Sequence, residues 1–251
     1  MTIRVPSNCD GSKRLCVARF GPGPRASQSP SPDRSALPVL RYDRPAIGLA
    51  LGLSGLAGFV DALGFLNIGG FFVSFMTGNT TRLGIELAQG RLDGVLVAGM
   101  IIALFVVGVI CGSLVGHVGK HRRQAAVLAF VTLALALSAG LYGAGLAIAA
   151  AGILALAMGA ENAVFQRDGE VTIGLTYMTG TLVKMGQRLA GALLGGSKRA
   201  FLRHFVLWLS LLVGAFLGAY AHLHVGLSAI WLAALAAGGF TIVAFFMPSR
   251  D

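Results

Sequence analysis

Asp61 lies inside an apolar stretch, GFVDALGF, with apolar residues on both sides, and a second carboxylate, Glu161 of MGAENAVFQ, lies near the end of the fourth apolar run. A carboxylate at the centre of a bilayer costs about 2.5–3.5 kcal/mol or more, so such a residue needs a partner, a cavity or a proton. Asp61 reads as a proton- or solute-binding group, as half of a buried ion pair with Arg82 or Lys184, or as a residue at a span end close to water. Asn162, beside Glu161, is the residue that aligns with Asp61 in the second half of the chain. Partners are at hand in Arg82 and Lys184, each five residues after the Thr of a Met-Thr-Gly triplet. Arg82 also precedes Glu86 by four residues, a spacing that allows a helical ion pair, whereas Lys184 precedes Arg188 by four without such relief. Facing a solute and closing an internal salt bridge are both open to these cations.

The two triplets belong to a repeat. FMTGNTTRLG, from Phe75 to Gly84, matches YMTGTLVKMG, from Tyr177 to Gly186. Upstream, GFVDAL from Gly58 aligns with GAENAV from Gly159, and downstream GVICG from Gly108 aligns with GAFLG from Gly214. Thr77, Gly78, Asn79 and Thr80 in the first copy, with Thr179, Gly180 and Thr181 in the second, join small polar side chains to a flexible backbone. That combination suits a break in a helix, whose freed N–H and C=O groups can hold a solute or ion. The same residues would also serve close packing between helices. Gly108–Gly112 and Gly214–Gly218 read as small-residue packing contacts.

Composition says what must position these groups. With 55% hydrophobic and 12% charged residues and a mean hydropathy of +0.77, the 251-residue chain is too apolar for the surface of a soluble domain. Its apolar runs, of about 18 to 24 residues, suffice to cross a bilayer, and about six spans are expected. They fall near 46–67, 94–118, 124–142, 146–164, 204–222 and 229–247. Two further segments, Phe71–Ala88 and Val171–Leu194, are apolar but carry the Thr-Gly triplets and charges. If both crossed, Lys120, His121, Arg122 and Arg123 would face outward, against the positive-inside rule. If neither crosses, most basic residues gather on the cytosolic side, with Arg91 the clear exception and both termini inside. Each half then has three spans, an odd number, so the second half is inserted upside down. The expected fold is an all-α membrane protein: two inverted three-helix repeats, about 46–142 and 146–247, each with an extra broken or re-entrant helix.

Residues 1–44, basic and rich in Pro and Ser, read as a disordered cytosolic tail without a signal peptide, ahead of a transmembrane domain at 45–251. The net charge of +10 and pI near 10.4 lie mainly in that tail and two short loops, a topology signal rather than a nucleic-acid surface. Cys9, Cys16 and Cys111 have neither disulfide nor zinc spacing, and His222 and His224, two apart, do not share a helix face. No metal or cofactor is expected. Paired Ser and His, HExxH and GxxxxGK[ST] are all missing from the sequence, so neither an enzyme nor an ATP-driven pump is expected.

The motifs GFVDALGF, FMTGNTTRLG, MGAENAVFQ and YMTGTLVKMG, in that order over roughly residues 46–247, resemble the signature of the YoaK-like family of uncharacterised bacterial membrane proteins. The resemblance implies a six-span protein of the bacterial inner membrane with no established substrate. On the residues themselves, the leading expectation is a transporter or exporter of a small solute, with protons a candidate partner. Asp61, Glu161, Asn162, Arg82 and Lys184 would surround a midplane site between Thr77-Gly78-Asn79 and Thr179-Gly180. The alternative is a membrane scaffold, or a protein that binds a partner, whose intramembrane charges are structural. The bilayer is the one partner that the composition names.

Overall fold

Long Ala-, Leu- and Gly-rich runs without interior proline favour helix, and their ends fall where Gly or polar residues interrupt them. In the computed structural model, which describes residues 44–167, 170–171, 174–195, 199 and 201–247, they form eight α-helices. These are α1 (Arg44–Asn67), α2 (Met76–Ala88), α3 (Leu92–Val118), α4 (Arg123–Gly143), α5 (Ala147–Glu161), α6 (Met178–Leu193), α7 (Leu202–Val225) and α8 (Ile230–Phe246). A 3-10 turn, Asn162–Phe165, extends α5, and two-residue strands pair Gln166 with Val171 and Arg167 with Glu170. All described residues belong to one unit, Tyr42–Asp251. The tail expected at 1–44 lies outside the described residues, Arg44 excepted.

Five helical runs are long and apolar enough to cross a membrane. The last, Leu202–Phe246, has 45 residues, about 68 Å if straight and about twice a hydrocarbon core. Gly226, at φ +61°, interrupts it with a backbone conformation that L side chains disfavour, dividing it into α7 and α8. Each of the six expected spans thus coincides with a helix. α2 and α6, with 13 and 16 residues, reach about 20 and 24 Å, short of the roughly 30 Å of hydrocarbon.

The helices pack through glycine. A Cβ on Gly214 or Gly218 of α7 would strike the carbonyl of Gly55 or Phe59 on α1, and one on Gly58 would strike that of Leu211. The same contacts recur between α3 and α5: Gly108 and Gly112 lie on Leu156 and Ala160, and Gly159 lies on the Phe105 carbonyl. Backbones this close gain dispersion contacts that larger side chains would prevent, the main source of helix affinity where lipid is as apolar as leucine. α4 packs on both α5 and α8, with Thr132 and Thr241 hydroxyls 3.1 Å apart. The outer surface stays apolar, as Leu96, Ile110 and Leu114 of α3 and Phe216, Leu235 and Phe246 of α7 and α8 are all exposed. Such a surface suits a hydrocarbon solvent.

The expected helix breaks lie elsewhere than the Thr-Gly triplets. Thr77-Gly78 and Thr179-Gly180 form the first turns of α2 and α6, and the irregular backbone precedes them, at 68–75 and at 174–177. In the first copy the physical reason is the Gly69-Gly70 pair, at φ +63° and +81°, which ends α1 in a left-handed turn well before the triplet that starts at Met76.

Two glycines on α3 test this packing. Gly108→Ala should destabilise the purified protein by about 1–3 kcal/mol, because its Cβ meets backbone that cannot rotate away. Gly99→Ala, which opens onto empty space, should be neutral or stabilising by up to about 1 kcal/mol. Thermal unfolding in detergent reads both, and equal midpoints for the two variants would refute the close-packing account.

Candidate functional site

A chain leaving a helix inside an apolar bundle strands its N–H and C=O groups, and each must find a partner. After α1, the linker 68–75 turns back along that helix and meets Asp61. The Val73 and Ser74 amides donate to Asp61 Oδ1 at 2.8 and 2.7 Å, and the Ser74 hydroxyl donates to Oδ2 at 2.5 Å. Asp61 is thus a half-buried carboxylate with three donors, and the linker gains an acceptor for two amides. Asn79, fully buried in the first turn of α2, completes the clasp. Its Oδ1 accepts from the Phe72 amide at 3.0 Å and its Nδ2 donates to the Phe72 carbonyl at 2.6 Å. Asn79 therefore acts as a substitute peptide group.

The second copy repeats part of this arrangement. The Thr176 hydroxyl donates to Asn162 Oδ1 at 3.0 Å, as Ser74 does to Asp61, and Asn162 Nδ2 donates to the Met158 carbonyl at 3.0 Å. Thr181, in the place of Asn79, turns its hydroxyl back to the Tyr177 carbonyl at 3.2 Å. The hydroxyl of Ser54, fully buried on α1, is shared between the Leu175 and Leu207 carbonyls at 3.5 and 3.3 Å, so α1 touches both linkers.

Glu161, the last residue of α5, is fully buried, and neither carboxylate oxygen has a hydrogen-bond partner. α1, which carries Asp61, packs against α5. In the repeat, Gly58 aligns with Gly159 and Asp61 with Asn162, so the residue matching Glu161 is Val60, also fully buried.

The expected cation partners are not there. Arg82 donates to the Gly70 carbonyl at 2.6 Å, stacks over the Phe71 ring at 4.3 Å and lies 3.8 Å from Glu86. It braces the outer side of the linker and leaves Asp61 to the amides. Lys184 is exposed on α6. The reason is geometric: the linker interposes its own donors before a side chain starting on α2 can reach α1. Glu86, with a side chain only 7% exposed, is neutralised chiefly by Arg91, whose Nε and Nη2 lie 2.7 and 3.0 Å from its two oxygens.

Asp61, Asn79, Glu161 and Asn162 thus gather where α1 and α5 meet the linkers, with Ser54, Ser74 and Thr176. Thr77, Thr179, Gly180 and Lys184 are exposed, and Gly78 is half-buried against Phe75. Ser74 and Thr176 were missed, although SFMTG and TYMTG show a hydroxyl two residues before each Met-Thr-Gly. A second polar knot also went unforeseen: Gln166 Oε1 accepts from Ser113 at 3.0 Å and from Arg123 Nη2 at 2.6 Å. Among the described residues, no cluster of three or more His, Cys, Asp or Glu side chains could hold a metal ion.

Residues 49–243 match the family model described as "Protein of unknown function (DUF1275)". The chain is 37% identical over 214 residues to the UPF0700 transmembrane protein RA0705 of Rhizobium meliloti (strain 1021), covering 84% of this chain and 92% of that one. It is 35% identical over 164 residues to the UPF0700 transmembrane protein YoaK of Bacillus subtilis (strain 168), covering 60% of this chain and 71% of the relative. No solved structure matches it.

The two clasps should differ in strength. Ser74→Ala removes a hydrogen bond to a carboxylate and should cost about 1.5–3 kcal/mol, whereas Thr176→Val removes one to a neutral amide and should cost about 0.5–1.5 kcal/mol. Chemical or thermal unfolding of the two variants gives the order, and a larger loss for Thr176→Val would contradict the assignment of Asp61 as the charged anchor.

Proposed function

Since this chain belongs to the DUF1275 family and is a multi-pass integral membrane protein, we propose that it is a secondary transporter of a small solute, and not an enzyme. The observation that carries this reading is the pair of irregular linkers, at matching places in the repeat, pinned to matching residues Asp61 and Asn162. Open backbone amid apolar helices is tolerated where it is buried in protein or lines a path for solute, and in transporters built from repeats it marks the substrate site. Here the site is the junction of α1 and α5, with Asp61, Glu161, Asn162 and Asn79 as its polar lining.

The halves are inverted in this reading. The five long apolar runs, with α5 counted through its 3-10 extension to Phe165 and the last run divided at Gly226, provide three crossings in each half without α2 or α6, so the second half enters the membrane from the opposite side. The packing supports it, since α1 rests on α7 as α5 rests on α3, and α4 rests on its counterpart α8. Both termini are cytosolic and the membrane is the bacterial inner membrane. Lys120, Arg122 and Arg123 then lie inside and Arg91 outside, with the 27 residues of α3 between them.

The competing reading, a scaffold whose polar groups only hold the bundle together, draws on the hydrogen bonds that satisfy Asp61 and the ion pairs that neutralise Glu86. Transport assays and stability separate the two. Reconstituted wild-type protein should support flux of at least one solute in a screen of small polar and amphipathic compounds, and Asp61→Asn should reduce that flux at least tenfold while remaining folded. A screen without any flux, together with strong destabilisation by Asp61→Asn, would favour the scaffold. For topology, cysteines replacing Arg91 and Lys120 should react with a membrane-impermeant maleimide from opposite sides of the membrane, and labelling from one side would overturn the arrangement.

A further inference from the structure

Glu161 is the one carboxyl at the junction that the structure leaves without a donor. Its side chain is fully buried at the end of α5, and both oxygens lack a hydrogen-bond partner. An ionised carboxylate so placed would forgo solvation and receive nothing in exchange, so its charge must be met by something that binds there. The repeat shows that the fold does not ask for a carboxyl at this point. The matching residue of α1 is Val60, equally buried and likewise two residues after a glycine that abuts the neighbouring backbone, although α1 runs on to Asn67 where α5 ends at Glu161. An apolar side chain satisfies the packing in one half, and the other half keeps an acid.

The surroundings identify the ligand. Of the elements packed against α5, α1 brings Asp61, α3 brings Asp93, Cys111 and His117, and α4 brings Arg123 and Tyr142. Arg123 donates to Gln166 and makes no ion pair with Glu161. Asp61 has both oxygens engaged by the linker's donors, an arrangement that suits the anion. A divalent ion would need further oxygen or nitrogen ligands, and no metal-holding cluster exists among the described residues. A proton needs one oxygen.

We propose that Glu161 is a proton-binding site in the interior of the bundle, beside the hydrogen-bonded carboxyl of Asp61, and that it supplies the coupling ion of the transporter. The coupling role rests on the transporter reading above, while the binding of the proton does not. Loading forms an O–H bond on Glu161 and unloading returns that proton to water or to the solute path. Asp61, half-buried where Glu161 is sealed, lies on the more accessible side of the pair.

Infrared spectroscopy of the protein reconstituted in liposomes at neutral pH tests the site directly. Wild type should show the carbonyl band of a protonated carboxylic acid that shifts on exchange into D2O, and Asp61→Asn should retain it. Glu161→Gln and Glu161→Val should both lose it. The valine variant copies the other half of the repeat, so it should fold with a thermal midpoint no lower than wild type. A wild-type spectrum without the band, its persistence in Glu161→Gln, or unfolding of Glu161→Val would each overturn the proposal. So would loss of the band on adding sodium chloride at constant pH, which would assign a metal cation instead. Flux measured in parallel keeps the two readings apart. The band without any flux overturns the transporter and leaves the proton site standing, whereas flux without the band overturns the proton site alone.

Discussion

Three donors from one short stretch of irregular backbone meet the carboxylate of Asp61, and each side of that contact solves the other's difficulty. The Val73 and Ser74 amides have no helical acceptor, and Asp61 sits in a helix that offers it no counter-charge. In an apolar surrounding, an unmet amide or an unmet carboxylate costs more than a hydrogen bond normally contributes, so the two are driven together. The contact holds the linker against α1 and thereby sets where α2 begins. Asn79 then completes the turn by standing in for a peptide group opposite Phe72. Arg82 is left to brace the outer side, on the Gly70 carbonyl and the Phe71 ring.

Around this contact the bundle is assembled by close approach of backbones. Glycines on α7 and α3 lie against carbonyls of α1 and α5, so the helices carrying Asp61 and Glu161 are each held by the matching helix of the other half. The halves differ at their flanks. α5 lies along α4, whereas α1 touches α8 more sparsely, and a cleft of about 370 Å³ between α1, α7 and α8 is lined by Gly52, Gly55, Phe59, Leu217, Leu232 and Phe240. The lining is almost wholly apolar, and its one hydroxyl, on Ser210, is already donated to the Leu51 carbonyl. The polar chemistry thus stays at the junction of α1 and α5.

The repeat makes the distribution of charge informative. Asp61 in one half is Asn162 in the other, and each accepts a hydroxyl from its linker. A bond of this kind serves the fold with or without a charge. Val60 and Glu161 show the reverse, a buried position where one half manages with hydrocarbon and the other carries an unpartnered acid. Comparing the halves therefore separates polar groups required by the backbone from the one that is not.

Much of this was legible from the amino acids alone, because hydrocarbon imposes a simple rule of length and apolarity. The helices, their approximate bounds and the glycine contacts followed from run length and from the recurrence of Gly108-Gly112 and Gly214-Gly218. The repeat was equally plain, since FMTGNTTRLG and YMTGTLVKMG keep their spacing. Which groups meet was decided only by the tertiary structure. Like spacing suggested that Arg82 and Lys184 would answer Asp61 and Glu161. The path of the linker, invisible in composition because it depends on where Gly69 and Gly70 turn the chain, brought amides to Asp61 first. Sequence could name the ionisable groups inside an apolar chain. The partner of each was settled by which donors the folded backbone left unused nearby, and at Glu161 it left none.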